Sequence, residues 1–229
     1  MSERTIGWQG EIWLGSDHCL LVSTLGTTDS HVHYAHQVLV ALDGEVEVEV
    51  QLGDQYHSGA LVMIPSQQPH AIISQGVPCL TLFAEPLAFD LADLGQACRQ
   101  ADNNPQRLAE CLRQWPRRAL DPRLAKALQR VRALDEQALS ARELANTAAL
   151  SISQLERLFS GALKLSVRRL VLWQRLRVAL RLALSGVSLT DAALAAGFAD
   201  SAHFARSVRR QFGLSPSTAL RQLHLRPLA

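Results

Sequence analysis

Nowhere in these 229 residues does an apolar run approach the roughly 18 positions a helix needs to span a bilayer, and the opening MSERTIGWQG has no apolar signal core. Neither a membrane span nor a secretory leader is expected, which leaves the cytoplasm. Cysteine is also sparse: Cys19, Cys79, Cys98 and Cys111 are scattered without CxxC spacing, the pattern of reduced thiols and not of a disulfide framework. Positive charge is scarce in one half of the chain. Residues 1–114 hold 4 Arg against 14 Asp and Glu, a net of −10, while residues 115–229 hold 17 Arg and 2 Lys against 7 Asp and Glu, a net of +12. The overall +2 hides this asymmetry. The length suits two modest domains, and a basic domain suggests a polyanionic partner, most simply nucleic acid, because each phosphate met by an arginine releases a condensed counterion. A basic helical domain that is merely solvated is the alternative.

The N-terminal third reads as β. In VLVALDGEVEVEVQLGDQY, Val38 to Leu42 form an apolar run, Asp43-Gly44 predicts a hairpin turn, and Glu45 to Leu52 alternate with period two. Glu45, Glu47 and Glu49 should face water, and Val46, Val48 and Val50 a core. A turn at Gly53-Asp54, a strand near Ala60 to Ile64, a break at Pro65 to Pro69, and strands near His70 to Ser74 and Cys79 to Ala84 complete the pattern of a sandwich or small antiparallel barrel. After Pro86 the spacing turns helical. Leu87 to Ala101 and Gln106 to Trp115, separated by Asp102-Asn103-Asn104-Pro105, predict a helical hairpin that serves as a dimerisation or relay element or as a spacer. The expected fold class is α+β in two domains: residues 1–85 a β domain, 86–120 a helical linker, and 121–229 all helix.

The C-terminal part repeats itself. Leu144-Ala145 with Ala149-Leu150, then Leu155-x-Arg157-x-Phe159, return as Ala192-Ala193 with Gly197-Phe198, then Phe204-x-Arg206-x-Val208. Each copy predicts a helix with a small buried residue, a tight turn, and a second helix: two tandem helix-turn-helix units. Ser151 is the expected N-cap of the helix from Ile152 to Gly161, and Asp200 or Ser201 that of the helix through Gln211. Between the copies, Ser166 to Leu184 reads as a helix about 28 Å long at 1.5 Å per residue. That is close to the ~34 Å between successive major grooves on one face of B-DNA.

These residues resemble the DNA-binding domain of the AraC/XylS family of bacterial transcription regulators, over about Asp121 to Arg221. The resemblance is most specific in GFADSAHFARSVRRQFGLSPSTALR, Gly197 to Arg221, and continues in LSISQLERLF, Leu150 to Phe159. It implies base and phosphate contacts at Ser153, Gln154 and Arg157 in the first unit and at Ser201, Ala202 and Arg206 in the second, with Arg209 and Arg210 on phosphates. Ala149 and Lys164 depart from the family's usual glycines, Val208 from its Phe, and Ala219 from an aromatic. Ala202 has no group to hydrogen-bond a base.

In HVHYAHQVLVALDG, residues 31 to 44, His31, His33 and Gln37 share parity, so on a continuous strand they would leave one face and His36 the other. His70 follows Pro65 by five residues. The layout His-x-His-(3)-Gln-(6)-Gly, then Gly59-(5)-Pro65-(4)-His70, resembles the paired motifs of the cupin family of small β-barrels. That resemblance places His31, His33, Gln37 and His70 at four ligand positions for a divalent transition metal: Zn, Ni, Fe, Cu or Co. Gln37 stands where cupins carry a carboxylate, and Gln67 where a glycine usually follows the proline. A bound metal, a metal-free pocket for an organic effector such as an anion, and an inert remnant all remain open.

The expected function is a cytoplasmic transcription regulator, a homodimer by analogy with other DNA-binding proteins, whose cupin-like domain senses a metal or small molecule and alters promoter binding. The opposite charges of the two halves also allow the sensor to compete with DNA for the reader. The alternatives are a metal-dependent cupin enzyme, of oxygenase or isomerase type, with a helical appendage, and a pure protein-interaction module.

Overall fold

A computed structural model of the protein describes residues 9–132, 140–163, 166–213, 215–220 and 222–226. Lys164 and Arg221 lie outside them. The chain divides into two compact units, Met1–Arg117 together with Ala205–Ala229, and Arg118–Phe204.

The first unit is built on two sheets. The larger has the order β6-β3-β8-β2-β1-β9, from β1 (Gln9–Leu14), β2 (His18–Thr24), β3 (His36–Ala41), β6 (Leu61–Ile64), β8 (Pro78–Ala84) and β9 (Gln222–Arg226). The smaller has the order β5-β4-β7, from β4 (Val48–Leu52), β5 (Gln55–Gly59) and β7 (His70–Ile72). All pairs are antiparallel except β1 with β9, which run parallel from Gln9↔Gln222 to Trp13↔Arg226.

Period-two alternation explains the layers. On β3, Leu39 and Ala41 enter a core shared with Ile64 of the neighbouring β6 and with Val48, Val50 and Ile72 of the smaller sheet, whereas Val38 and Val40 enter a second core on the other face. The second core is covered by α1 (Leu91–Ala101) and α2 (Pro105–Gln114), which bury Leu94, Ala97, Cys98, Ala101, Leu108 and Leu112 there. A strand buried on both faces carries an unbroken apolar run, which is what VLVALD shows. Gln37 has the parity of Leu39 and so points to the inter-sheet side, at the position paired with Phe83.

Two details differ from the sequence expectation. Asp43-Gly44 closes no hairpin: β3 belongs to the large sheet and β4 to the small one, so residues 42–47 carry the chain from one sheet to the other, and β4 begins at Val48 instead of Glu45. Glu45, Glu47 and Glu49 nonetheless stay exposed while Val48 and Val50 are buried. Helix α1 starts at Leu91 and not Leu87, because Leu87, Ala88 and Phe89 form a buried turn in which the N–H groups of Ala88 and Phe89 donate to Glu85 O. None of the four cysteines is in a disulfide, and burial pushes the Cys79 and Cys98 thiols up to about 12.

The second unit is helical: α3 (Pro122–Arg132), α4 (Ala141–Thr147), α5 (Ile152–Leu163), α6 (Val167–Leu184), α7 (Leu189–Ala195) and the start of α8 (Ser201–Phe212). α4 opens with a capping box in which Glu143 N–H donates to Ser140 Oγ and Ser140 N–H to the Glu143 carboxylate. α6 spans 18 residues, about 27 Å at 1.5 Å each. α8 continues into the first unit, where α9 (Pro216–Leu220) leads to β9. The helical C-terminal half thus ends in a strand that completes the larger sheet. Among the described residues no helix is long and apolar enough to cross a membrane.

Candidate functional site

Residues 31–35 do not form the continuous strand that the parity argument assumed. His31 makes an isolated antiparallel bridge to His70, with His31 N–H donating to His70 O at 2.9 Å and His70 N–H to His31 O at 3.0 Å. The chain then bends through His33, Tyr34 and Ala35 before β3 begins at His36. The bend still brings together the side chains that parity grouped. His31, His33 and His70 each place a ring nitrogen within 4.8 Å of the others, and all three are buried. His36 stays apart, accepting the Ser66 N–H on Nδ1 at 3.0 Å.

Donor and acceptor chemistry fixes how the cluster is poised. Nδ1 of His31 lies 2.8 Å from Asp29 O, Nδ1 of His33 2.9 Å from Ala35 O, and Nδ1 of His70 2.9 Å from Gln68 O. A carbonyl oxygen only accepts, so each Nδ1 carries the hydrogen and each neutral ring keeps its lone pair on Nε2. Burial, and after it the neighbouring His70, pushes His31 down to about 4; burial, then His70 and His31, pushes His33 down to about 3; burial lowers His70. The rings are therefore neutral at pH 7, the form that binds metal.

The fourth position is Gln37, 1% exposed, whose carboxamide Oε1 lies 2.9 Å from His33 Nε2 and 3.0 Å from His70 Nε2. Phe83 meets the His33 ring edge-on at 5.4 Å, and Gln67 ties the bend down by donating its N–H and its Nε2 to His33 O. Gln67 has φ 67°, the left-handed conformation that a glycine at this position would adopt without strain. Three imidazole Nε2 atoms, each oriented by a backbone carbonyl, and one amide fit a borderline transition metal such as Zn, Ni, Fe, Cu or Co.

Two helix pairs, α4–α5 and α7–α8, share one turn geometry. Leu150 N–H donates to Ala145 O at 2.9 Å and Phe198 N–H to Ala193 O at 3.0 Å, with Ala149 at φ 53° and Gly197 at φ 83° between them. Ala145 and Ala193 are buried, as are Leu155, Phe159, Phe204 and Val208 on the second helices. The residues named for DNA contact, Ser153, Gln154, Arg157, Ser201, Ala202, Arg206, Arg209 and Arg210, are all exposed. The Gln154 side chain also has a local task, since its Oε1 accepts the Ser151 N–H at 2.8 Å while Ser151 Oγ accepts the Gln154 N–H at 3.2 Å. Asp200 and not Ser201 caps α8, accepting the His203 N–H. Arg209 is held by Asp29, Nη2 to Oδ2 2.7 Å.

One polar site escaped sequence reading. Asp17 is 4% exposed and accepts from His18 Nδ1 at 2.9 Å and Arg117 Nε at 2.8 Å. The Arg117 guanidinium lies 4.4 Å from the centre of the Phe89 ring. Burial alone would raise the Asp17 carboxyl, but the hydrogen bonds from His18 and Arg117 outweigh it and hold it well below the usual carboxylate range. The group borders a cavity of about 480 Å³ that Trp13, Ser16 and Arg113 also line. Its only sequence signal is the adjacent pair Asp17-His18 ahead of an apolar run; Arg117 is 100 positions away.

A family model described as a helix-turn-helix domain matches residues 144–222. The crystal structure of a transcriptional regulator with an AraC-type DNA-binding domain, from Chromobacterium violaceum, is 32% identical over 42% of this chain and 86% of its own, with a TM-score of 0.39. ToxT from Vibrio cholerae O395 is 10% identical and covers 91% of this chain and 98% of its own, with a TM-score of 0.55. ToxT of V. cholerae strain SCE256 with a bound unsaturated fatty acid is likewise 10% identical, covering 95% of this chain and 96% of its own at a TM-score of 0.51. The ToxT likeness extends the shared fold over nearly the whole chain. No curated protein matches the sequence.

Proposed function

This chain belongs to the AraC-type helix-turn-helix transcription regulators, and we propose that its cupin-like barrel is a sensor whose histidine cluster takes a divalent transition metal and thereby sets the affinity of α5 and α8 for promoter DNA. DNA binding by the chain rests on the helix-turn-helix domain itself. The observation that carries the sensing reading is the triad: three buried imidazoles with ring nitrogens within 4.8 Å of one another, each with Nδ1 committed to a backbone carbonyl, and with the Nε2 atoms of His33 and His70 both meeting Gln37. The metal would supply charge and cross-linking between the 31–33 bend and β7, and so bias the barrel toward one state.

Ser153, Gln154 and Arg157 on α5 and Ser201, Ala202 and Arg206 on α8 are the proposed base-facing set, with Arg209 and Arg210 on phosphates. The Asp29–Arg209 pair gives the competition between sensor and DNA a residue-level form, because the guanidinium proposed for a phosphate is already taken by a carboxylate. The partners proposed are double-stranded DNA, the metal and a second copy of the chain, and the place of action is the cytoplasm.

Elemental analysis of purified protein beside His31→Ala tests the sensor: a stoichiometric metal in the first and none in the second is expected. A metal-free pocket for an organic anion is the second reading, to which the fatty acid held by a neighbour of the same fold gives some weight. It predicts no metal in either protein. A metal-dependent enzyme predicts turnover that His31→Ala abolishes, together with no salt-sensitive DNA binding.

A further inference from the structure

The residue that departs from the cupin pattern has its own chemistry. Because Nδ1 of His33 and of His70 each donates to a backbone carbonyl, both Nε2 atoms present lone pairs to the Gln37 carboxamide, whose Oε1 stands 2.9 and 3.0 Å from them. An amide oxygen in that place would set acceptor against two acceptors. The amide nitrogen would answer both, since NH₂ has two hydrogens and there are two lone pairs to meet. The oxygen and nitrogen of a carboxamide are nearly identical in shape, so the hydrogen-bond network decides the orientation, and two facing lone pairs call for the amide turned over, with the nitrogen toward the histidines.

We propose that Gln37 is a reversible plug: in the metal-free protein its NH₂ caps Nε2 of His33 and His70, and on metal loading the amide turns over to offer its oxygen. This rests on the metal reading of the site. A carboxylate in the same position could not act this way, because it has no hydrogen to give a neutral imidazole; it would keep the metal-free site charged and needing a cation. Glutamine makes the metal-free state neutral, with the Nε2 atoms of both His33 and His70 bonded. The metal must then displace two hydrogen bonds and gains only a neutral ligand in return, so binding is weaker and more readily reversed, which suits a sensor better than a permanent structural centre.

Two measurements on the full chain, stripped by chelator, test this. Co(II) titration in competition with a chromophoric chelator compares wild type, Gln37→Glu and His31→Ala. The expected result is binding by wild type, binding by Gln37→Glu tighter by about tenfold or more, and loss in His31→Ala. Long-range ¹H–¹⁵N correlation of the metal-free wild type should show both His33 and His70 as Nδ1–H tautomers, and the Gln37 amide protons should be protected until Co(II) is added. Equal affinity of wild type and Gln37→Glu overturns the plug and leaves the metal site standing. Nε2–H tautomers overturn the plug whatever the affinities are. No Co(II) binding by either protein removes the metal reading and the plug with it. Should Gln37→Glu fail to fold, the tautomer measurement on wild type decides.

Discussion

Ala149 and Gly197 occupy the same left-handed position in two copies of one turn, 48 residues apart. The N–H of the residue after each donates to a carbonyl five positions back from that donor, Leu150 to Ala145 O and Phe198 to Ala193 O. Gly197 adopts φ 83° without cost to a side chain, whereas Ala149 carries a Cβ at φ 53°, a strain of about 1–2 kcal/mol. Its side chain is exposed, so nothing but geometry holds alanine there.

Ala149→Gly should therefore stabilise the helical unit by about 0.5–1 kcal/mol once the extra chain entropy of glycine is subtracted. Gly197→Ala should destabilise it by about 1–2 kcal/mol. Urea unfolding followed by helical circular dichroism reads both. An Ala149→Gly variant no more stable than wild type would mean the turn is not held in the left-handed form.

On the second helices, Arg157→Ala and Arg206→Ala should each weaken specific DNA binding by about 1–3 kcal/mol if they meet bases. Arg210→Ala should weaken all sequences evenly and lower the slope of log affinity against log salt by about 1. Gln154→Ala mixes two effects, since it also removes the cap on Ser151 N–H. Its cost in stability, about 1 kcal/mol, has to be measured alongside its DNA affinity. Full operator affinity in both arginine variants would refute the assignment of α5 and α8 as reading helices.

Asp17 sets a pH dependence in the first unit. Its folded-state carboxyl is held well below the usual range, so the stability it contributes is fully present above about pH 4, the unfolded value, and is lost as pH falls beneath it. Asp17→Asn should cost about 1.5–3 kcal/mol at pH 7, because the bonds from Arg117 and His18 lose their charged acceptor, and should flatten the acid limb of the stability curve. Denaturant midpoints from pH 7 to pH 3 on both proteins show it. A parallel fall in the two would place the acid sensitivity elsewhere.

How far the sequence reveals all this depends on the range of the forces involved. The capping residues Ser140, Ser151, Asp200 and Asn104, the alternation of Glu45 to Val50 and the two turns of the repeat are local, and their signals lie within a few residues of where they act. The failed hairpin at Asp43-Gly44 shows the limit: the turn forms, but which sheet β4 joins is decided by Ile72 and Ala71, its partners some twenty residues later. β1, β2 and β9 went unread, although HCLLVST in β2 is an apolar run that could have been found. β9 pairs with β1 across the length of the chain, and no local pattern announces that. The histidines converge as parity suggested, yet through a bend and a bridge to His70 and not through a straight strand.

The end of α8 is the last place where a substitution can separate two effects. Gly213 sits at φ 68° with room for no side chain: a Cβ there would come within 2.7 Å of Asp29 O and Thr28 Cβ and 3.0 Å of His31 Nδ1. Gly213→Ala should therefore push the 28–31 segment and the His31 ring aside, loosening Co(II) binding about tenfold or more and lowering stability by more than 1 kcal/mol. Asp29→Ala removes only the exposed pair with Arg209, which contributes about 0–1 kcal/mol to the fold. Stability should hardly change, but freed of its competitor Arg209 should raise DNA affinity by up to about fivefold, the factor that 1 kcal/mol corresponds to. Fluorescence anisotropy with a labelled operator at fixed salt resolves a change of that size. Unchanged DNA affinity in Asp29→Ala would show that the carboxylate does not compete with phosphate, whereas a gain there alongside weakened metal binding in Gly213→Ala would place the DNA-facing and metal-facing sides of this segment under separate residues.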